Sequence, residues 1–269
     1  MTLLEAHDLH KAFKGVTAAN GVSFSVQEGE LIALIGPNGA GKSTTFNMVG
    51  GQLSPDSGRV TLGGLDITGL APRAIWRMGV ARTFQIAQTF LSMSVAENVQ
   101  MALISARGRT LSLWASASAM YRDEALDILA ALGMDGAADR PVSQLAYGDV
   151  KSVELAIALA SSPKLLLMDE PTAGMAPAER AALMKLVARL AVERQIGVLF
   201  TEHDIDAVFA HASRVLVLMR GEIIARGTPE EIRADARVQQ VYLGSSGVTG
   251  AIRRRAERAA SVERAASDA

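Results

Sequence analysis

The run Gly36-Pro37-Asn38-Gly39-Ala40-Gly41-Lys42-Ser43-Thr44 contains, from Gly36 to Ser43, G-x-x-x-x-G-K-[ST], the pattern of a phosphate-gripping P-loop. Each residue type has a physical task. Glycine lets the backbone curl until successive N–H groups point at one anion. A helix starting just after the loop adds partial positive charge at the same place. In such a loop Lys42 reaches the β- and γ-phosphates of a nucleotide, and Ser43 offers its hydroxyl to Mg²⁺. Further along, the apolar run Leu165-Leu166-Leu167-Met168 ends in two acids, Asp169 and Glu170. An acid at the carboxyl end of a central parallel strand lies beside the phosphate loop. Asp169 is placed there to hold the Mg²⁺ shell, and Glu170 to polarise an attacking water as general base. The two segments together predict a nucleoside triphosphatase or a kinase.

These side chains need a frame, and the apolar spacing predicts one. Val22, Phe24 and Val26 alternate with polar residues as a half-buried strand does. Leu31 to Ile35 is continuous and apolar, as expected of a strand buried on both faces. A helix is predicted from about Gly41 to Gly50, and a strand or hairpin around Gly58 to Asp66. Val95 to Ala106 and Arg122 to Leu132 show helical apolar spacing, separated by a Ser-, Ala- and Gly-rich stretch, Gly108 to Ser118, expected as a loop. Another helix is predicted over 150–161. Strands at Leu165 to Met168, Gly197 to Phe200 and Arg214 to Met219 then alternate with helices at Ala178 to Gln195 and Asp204 to Ala212. Such alternation predicts an α/β fold with parallel strands.

Composition narrows the class. The chain has 269 residues, 49% of them hydrophobic, enough for a sizeable core and too apolar for a disordered chain. It has no cysteine, which excludes disulfides, thiolate metal sites and cysteine catalysis. No stretch reaches the roughly 18 uninterrupted apolar residues of a membrane span, and residues 1–11 lack the order of a signal peptide. A soluble cytoplasmic chain is expected. From Ser245 the composition shifts, with five arginines against three acids, so a +2 tail leaves −3 for the body of a chain of formal charge −1. An acidic body disfavours a nucleic-acid partner.

Four more segments decide the type: Phe13 in an expected early turn, Lys11-Ala12-Phe13-Lys14-Gly15, Gln85 after Arg82-Thr83-Phe84, the run Leu145-Ala146-Tyr147-Gly148-Asp149, and His203 in Thr201-Glu202-His203-Asp204. With these the chain resembles the ATP-binding cassette (ABC) family from Leu3 to Gly244, six motifs falling in the family's order. The wording is most similar to the importer subgroup that serves branched-chain amino acids and related amides, with Asp169-Glu170-Pro171-Thr172-Ala173-Gly174-Met175-Ala176-Pro177 and a closing Val241-Tyr242-Leu243-Gly244.

The resemblance implies a P-loop NTPase of the ABC type. It would have a RecA-like mixed-sheet core (about 1–85 and 162–244), an antiparallel β subdomain, a helical subdomain (about 86–161) and a tail (245–269). It implies ATP and Mg²⁺ as ligands. Phe13 would stack on adenine, and Gly36, Asn38, Gly39, Ala40, Gly41, Lys42, Ser43 and Thr44 would cradle phosphate. Gln85 would join Ser43 and Asp169 around Mg²⁺ and the water. His203 would contact the γ-phosphate. Tyr147 and Gly148, in the signature loop, would serve the ATP of a second ATPase chain. The implied partners are that second chain, two membrane-spanning permease subunits and, indirectly, a substrate-binding receptor. The implied place is the cytoplasmic face of the inner membrane, as a peripheral subunit. A urea or amide importer, a lipid or lipopolysaccharide exporter, and a non-transport cassette acting on ribosomes or DNA are the alternatives.

Two stretches depart from the family's general pattern. Ala146 stands where a serine hydroxyl would reach the γ-phosphate in trans, and Asp149 where a longer glutamine or glutamate is usual. Met175 and Ala176 occupy the place of the inter-subunit aspartate. The expectation is a fully catalytic P-loop site in this chain and weaker trans support from its signature loop.

Overall fold

The computed structural model describes residues 1–83, 89–108 and 120–243. Its frame is a six-stranded sheet. β3 (Leu31–Ile35) lies between β8 (Gly197–Thr201) and β9 (Arg214–Met219); β7 (Leu165–Asp169) and β6 (Val80–Thr83) follow β8, and β10 (Glu222–Gly227) flanks β9. All neighbours run parallel except β9 and β10, so the sheet is mixed. Every residue of β3 and β8 is buried, as the continuous apolar runs require. Their side chains alternate between faces. Leu31, Ala33 and Ile35 join one apolar cluster, Ile32 and Leu34 the other.

A second sheet is antiparallel throughout, in the order β2 (Val16–Gln27), β1 (Thr2–Phe13), β4 (Ser57–Leu62), β5 (Leu65–Asp66). Its inner residues Leu4, Leu9, Val22 and Val26 share a cluster with Phe46, Met48 and Val49 of α1 (Lys42–Val49). That helix is therefore packed between the two sheets, and its N-terminus is held at the end of β3.

The chain between β6 and β7 is helical where it is described. It holds α3 (Val95–Ala106), α4 (Arg122–Ala131) and α5 (Tyr147–Leu159). Val95, Val99 and Leu103 pack with Ala125, Leu129 and Val153 in the cluster on the opposite face of the mixed sheet. α3 opens with a capping box: the Ser94 hydroxyl accepts from Glu97 N–H, and the Glu97 carboxylate from Ser94 N–H. α2 (Pro72–Arg77) precedes β6. α6 (Pro177–Arg194), α7 (Ile205–His211), α8 (Pro229–Ala234) and α9 (Ala236–Leu243) complete the order.

The elements differ from expectation in three ways. The helix expected over 150–161 begins at Tyr147, so Tyr147, Gly148 and Asp149 form its first turn and Ala146 is its N-cap. Alanine has no side-chain acceptor, and the usual start signal is missing from the sequence. Phe13 ends β1, opposite Val16, and the turn is Lys14-Gly15. β6, β10, α8 and α9 lacked a clear apolar period: β6 has four residues, one of them Arg82. The stretch expected as a loop over 108–118 lies outside the described residues from 109 onward, as does the tail from 245.

Candidate active site

The P-loop joins β3 to α1, and two of its glycines are required by shape. Gly36 has φ 156°, and a Cβ there would stand 2.1 Å from the Leu218 carbonyl oxygen. Gly41, at φ 103°, would place a Cβ 2.2 Å from the Ala18 carbonyl oxygen. Both neighbours are backbone of packed strands, so neither can yield. Gly221 N–H donates to Ala40 O at 2.8 Å, and Asn20 N–H to Gly221 O at 2.8 Å, which ties the loop to β2. α1 begins without a side-chain cap, leaving its first turn to offer N–H groups to an anion.

Lys42 is buried, and its ammonium donates to Gly36 O at 2.7 Å and Pro37 O at 3.2 Å. Burial pushes its pKa below the ordinary lysine value, while the charges of Glu170 and Asp169 pull it back up. Asn38, Gly39 and Ser43 are exposed and Thr44 half-buried, while Ala40 is buried. Phe13 is exposed, with the Lys11 ammonium 5.8 Å from its ring centroid, on the hairpin whose β2 strand touches the loop at Ala18.

β7 delivers the two acids. Asp169 accepts the Thr201 hydroxyl at 2.6 Å and lies 3.4 Å from the Arg82 guanidinium. Arg82 also donates to Asn47 of α1 at 2.9 Å and stacks 5.4 Å from the Phe46 ring centroid. Burial lowers its pKa, and Asp169 opposes that shift. Glu170 follows with φ 48°, a left-handed backbone that costs about 1–3 kcal/mol outside glycine. Its N–H is held by Thr201 O and Oγ1, both at 3.1 Å. Its Oε1 lies 2.7 Å from His203 Nε2, the imidazole that follows the adjacent strand β8.

The predicted residues thus fall into two groups. Lys42, Asp169, Glu170 and His203 converge where β3, β7 and β8 end. Tyr147 and Gly148 lie at the start of α5 against the loop beyond Glu170. A Cβ at Gly174 would be 3.4 Å from Tyr147 Cε1, and one at Gly148 would be 3.2 Å from the Glu179 carboxyl carbon. Gln85 lies outside the described residues. Residues missed in the sequence are Arg82, Thr172, Thr201 and Glu202. Thr201 was findable as the polar end of an apolar strand in register with Asp169; the others pair only once the strands align.

A curled glycine loop between a buried strand and a helix, a buried lysine, and acids at the end of a nearby parallel strand define a P-loop nucleoside triphosphatase. A family model described as ABC transporter matches residues 19–173, and one described as branched-chain amino acid ATP-binding cassette transporter matches residues 222–248. The chain belongs to the ABC transporter family, as one of its ATP-hydrolysing cassettes. It is 38% identical over 252 residues to the high-affinity branched-chain amino acid transport ATP-binding protein LivG of Salmonella typhimurium, covering 91% of this chain and 98% of LivG. It is 36% identical over 255 residues to the corresponding BraF protein of Pseudomonas aeruginosa, with coverage of 91% and 98%. Among solved structures, an ATP-binding cassette of an ABC transporter in its ADP conformation superposes with a TM-score of 0.82 at 33% identity, covering 91% of this chain and all of that one. A nucleotide-free cassette superposes at 0.79 with 32% identity, covering 90% and 99%.

Proposed function

We propose that this chain is the ATP-hydrolysing subunit of an importer for branched-chain amino acids. One observation carries the hydrolysis furthest: Glu170 and His203 meet at 2.7 Å, on neighbouring strands, beside the strand that feeds the P-loop. The solute class is supported by the similarity to LivG and BraF and by the match at residues 222–248.

The donors suit ATP. A buried ammonium, an uncapped helix start and a glycine-curled backbone are what a polyphosphate needs. The Ser43 hydroxyl and the Asp169 carboxylate are hard oxygen ligands of the kind Mg²⁺ takes, and Gln85 would complete them. Mg²⁺ held there would supply positive charge to offset that of the phosphates. Phe13 would stack on the adenine. Glu170 takes the proton of the attacking water, and His203 orients that carboxylate and meets the γ-phosphate. Lys42 and the loop N–H groups stabilise charge developing on the transferred group. Tyr147 and Gly148 act on the ATP of a second ATPase chain.

We further assign a nucleotide-binding unit over 1–244, with a helical subdomain over about 86–161 and a tail over 245–269. Permease subunits would dock beside the helical part. A groove of about 300 Å³ opens there, lined by Ile75, Trp76, Arg82, Thr83, Glu154 and Ile157. No helix among the described residues is long and apolar enough to cross a membrane, in keeping with a peripheral subunit on the cytoplasmic face. A receptor would supply the solute from the other side. Purification of the tagged chain from detergent-solubilised membranes tests this. Two co-purifying permease proteins are expected; ribosomes or DNA in their place would overturn it.

A further inference from the structure

Glu202 is only 5% exposed. A buried carboxylate is costly unless its oxygens are hydrogen-bonded, and both of these are. Oε1 accepts the backbone N–H of Thr172 at 2.9 Å and its hydroxyl at 2.6 Å, while Oε2 accepts the backbone N–H of His203 at 3.2 Å. Thr172 is 1% exposed and follows Glu170 by two residues. The turn between them is closed by Ala173 N–H to Glu170 O and Met175 N–H to Thr172 O, each at 3.1 Å. One carboxylate therefore holds the loop of Glu170 with one oxygen and the backbone of His203 with the other. An outer brace runs parallel to it. Arg180 pairs with Asp204 and donates to Met175 O at 3.3 Å. Asp204 in turn caps α7 through the N–H groups of Asp206 and Ala207, at 3.0 and 3.2 Å.

The catalytic pair needs such support. The His203 and Glu170 side chains are 51% and 24% exposed. A side-chain contact that open to solvent adds little hold. The left-handed backbone at Glu170 is strained; its N–H is anchored on Thr201, but the loop that follows needs a further hold. We propose that Glu202 and Thr172 are positioning residues: a buried clamp that sets the Glu170 carboxylate and the His203 imidazole at their working separation. This rests on Glu170 and His203 serving hydrolysis as proposed above.

The test uses the full-length chain in its paired assembly, with MgATP and three substitutions. Thr172→Val keeps the shape and backbone N–H but removes the hydroxyl. Glu202→Gln keeps an acceptor for Thr172 but turns an NH₂ group towards the His203 N–H. Thr172→Ser restores the hydroxyl. A clamp predicts that kcat falls about 10- to 100-fold in Thr172→Val and Glu202→Gln. The equilibrium affinity for a fluorescent ATP analogue should stay within about twofold, since no ground-state contact is lost. Thr172→Ser should recover most of kcat. Should Thr172→Val fail to fold, Glu202→Gln decides by the same two quantities. The clamp is overturned if folded Glu202→Gln or Thr172→Val keeps wild-type kcat, or if affinity falls in step with kcat. Wild-type chain and Glu170→Gln run alongside. A wild-type paired assembly without ATPase activity would sink the hydrolytic function itself. An active wild type silenced by Glu170→Gln but indifferent to the clamp substitutions would sink only the clamp.

Discussion

On the proposed mechanism Glu170 and Lys42 act on different parts of the cycle, and substitution should separate them. Glu170→Gln removes the base and leaves the P-loop intact. ATP turnover should drop about 10²–10⁴-fold, with nucleotide still bound in equilibrium dialysis. Lys42→Ala should abolish binding itself, because the loop then lacks the one ammonium placed among its carbonyls. Retained ATP binding in Lys42→Ala would show that the backbone N–H groups suffice. Lys42, Asp169 and Glu170 could be singled out in the sequence because phosphate and Mg²⁺ chemistry asks for particular types at particular offsets from strands and helices, whereas His203 was singled out through the resemblance to the family. Glu202, Thr172 and Arg82 could not be singled out. Thr172 and Glu202 lie 30 residues apart, and Asn47 and Arg82 lie 35 apart. Only the alignment of β6, β7 and β8 makes them neighbours.

Among the elements, α1 and α5 carry the sharpest expectations. Gly36→Ala and Gly41→Ala each drive a Cβ into backbone at about 2 Å, so the loop must deform. Each should lower ATP affinity while leaving the far-UV circular dichroism of the chain unchanged. An affinity equal to wild type would show that the loop is more plastic than its packing indicates. α5 invites the opposite change. Ala146 is its N-cap and has no acceptor, so Ala146→Ser adds the missing hydroxyl. A serine cap stabilises a helix start by about 0.5–2 kcal/mol, readable as a rise in Tm. At that position the new hydroxyl should also raise turnover in the paired assembly, where the signature loop is proposed to serve the opposing ATP. The same uncapped start hid the true beginning of α5 from sequence inspection. β3, β7 and β8 were readable because strands buried on both faces are continuous and apolar. β6 and β10 were not: one is four residues long with Arg82 inside it, and the other is mostly half-exposed.

At the scale of the whole molecule, the mixed sheet brings the P-loop, the two acids and His203 to one end of its strands, while the segment between β6 and β7 supplies the signature loop at the start of α5. That division suits an engine built from two chains that drives separate membrane subunits. With Ala146 and Asp149 in the signature loop, the two ATP sites of a paired assembly are expected to be unequal. Glu170→Gln in this chain alone, within a mixed assembly, should remove most of the hydrolysis; little change would place the work in the partner's site. The broad claim is that this hydrolysis powers the entry of branched-chain amino acids, and uptake tests it most directly. Cells lacking the chain are supplied with the wild type or with Glu170→Gln at equal membrane levels, and the entry of labelled leucine is followed. ATP-driven import predicts that the wild type restores uptake and that Glu170→Gln does not. Uptake restored by Glu170→Gln, or left unrestored by the wild type, would contradict it.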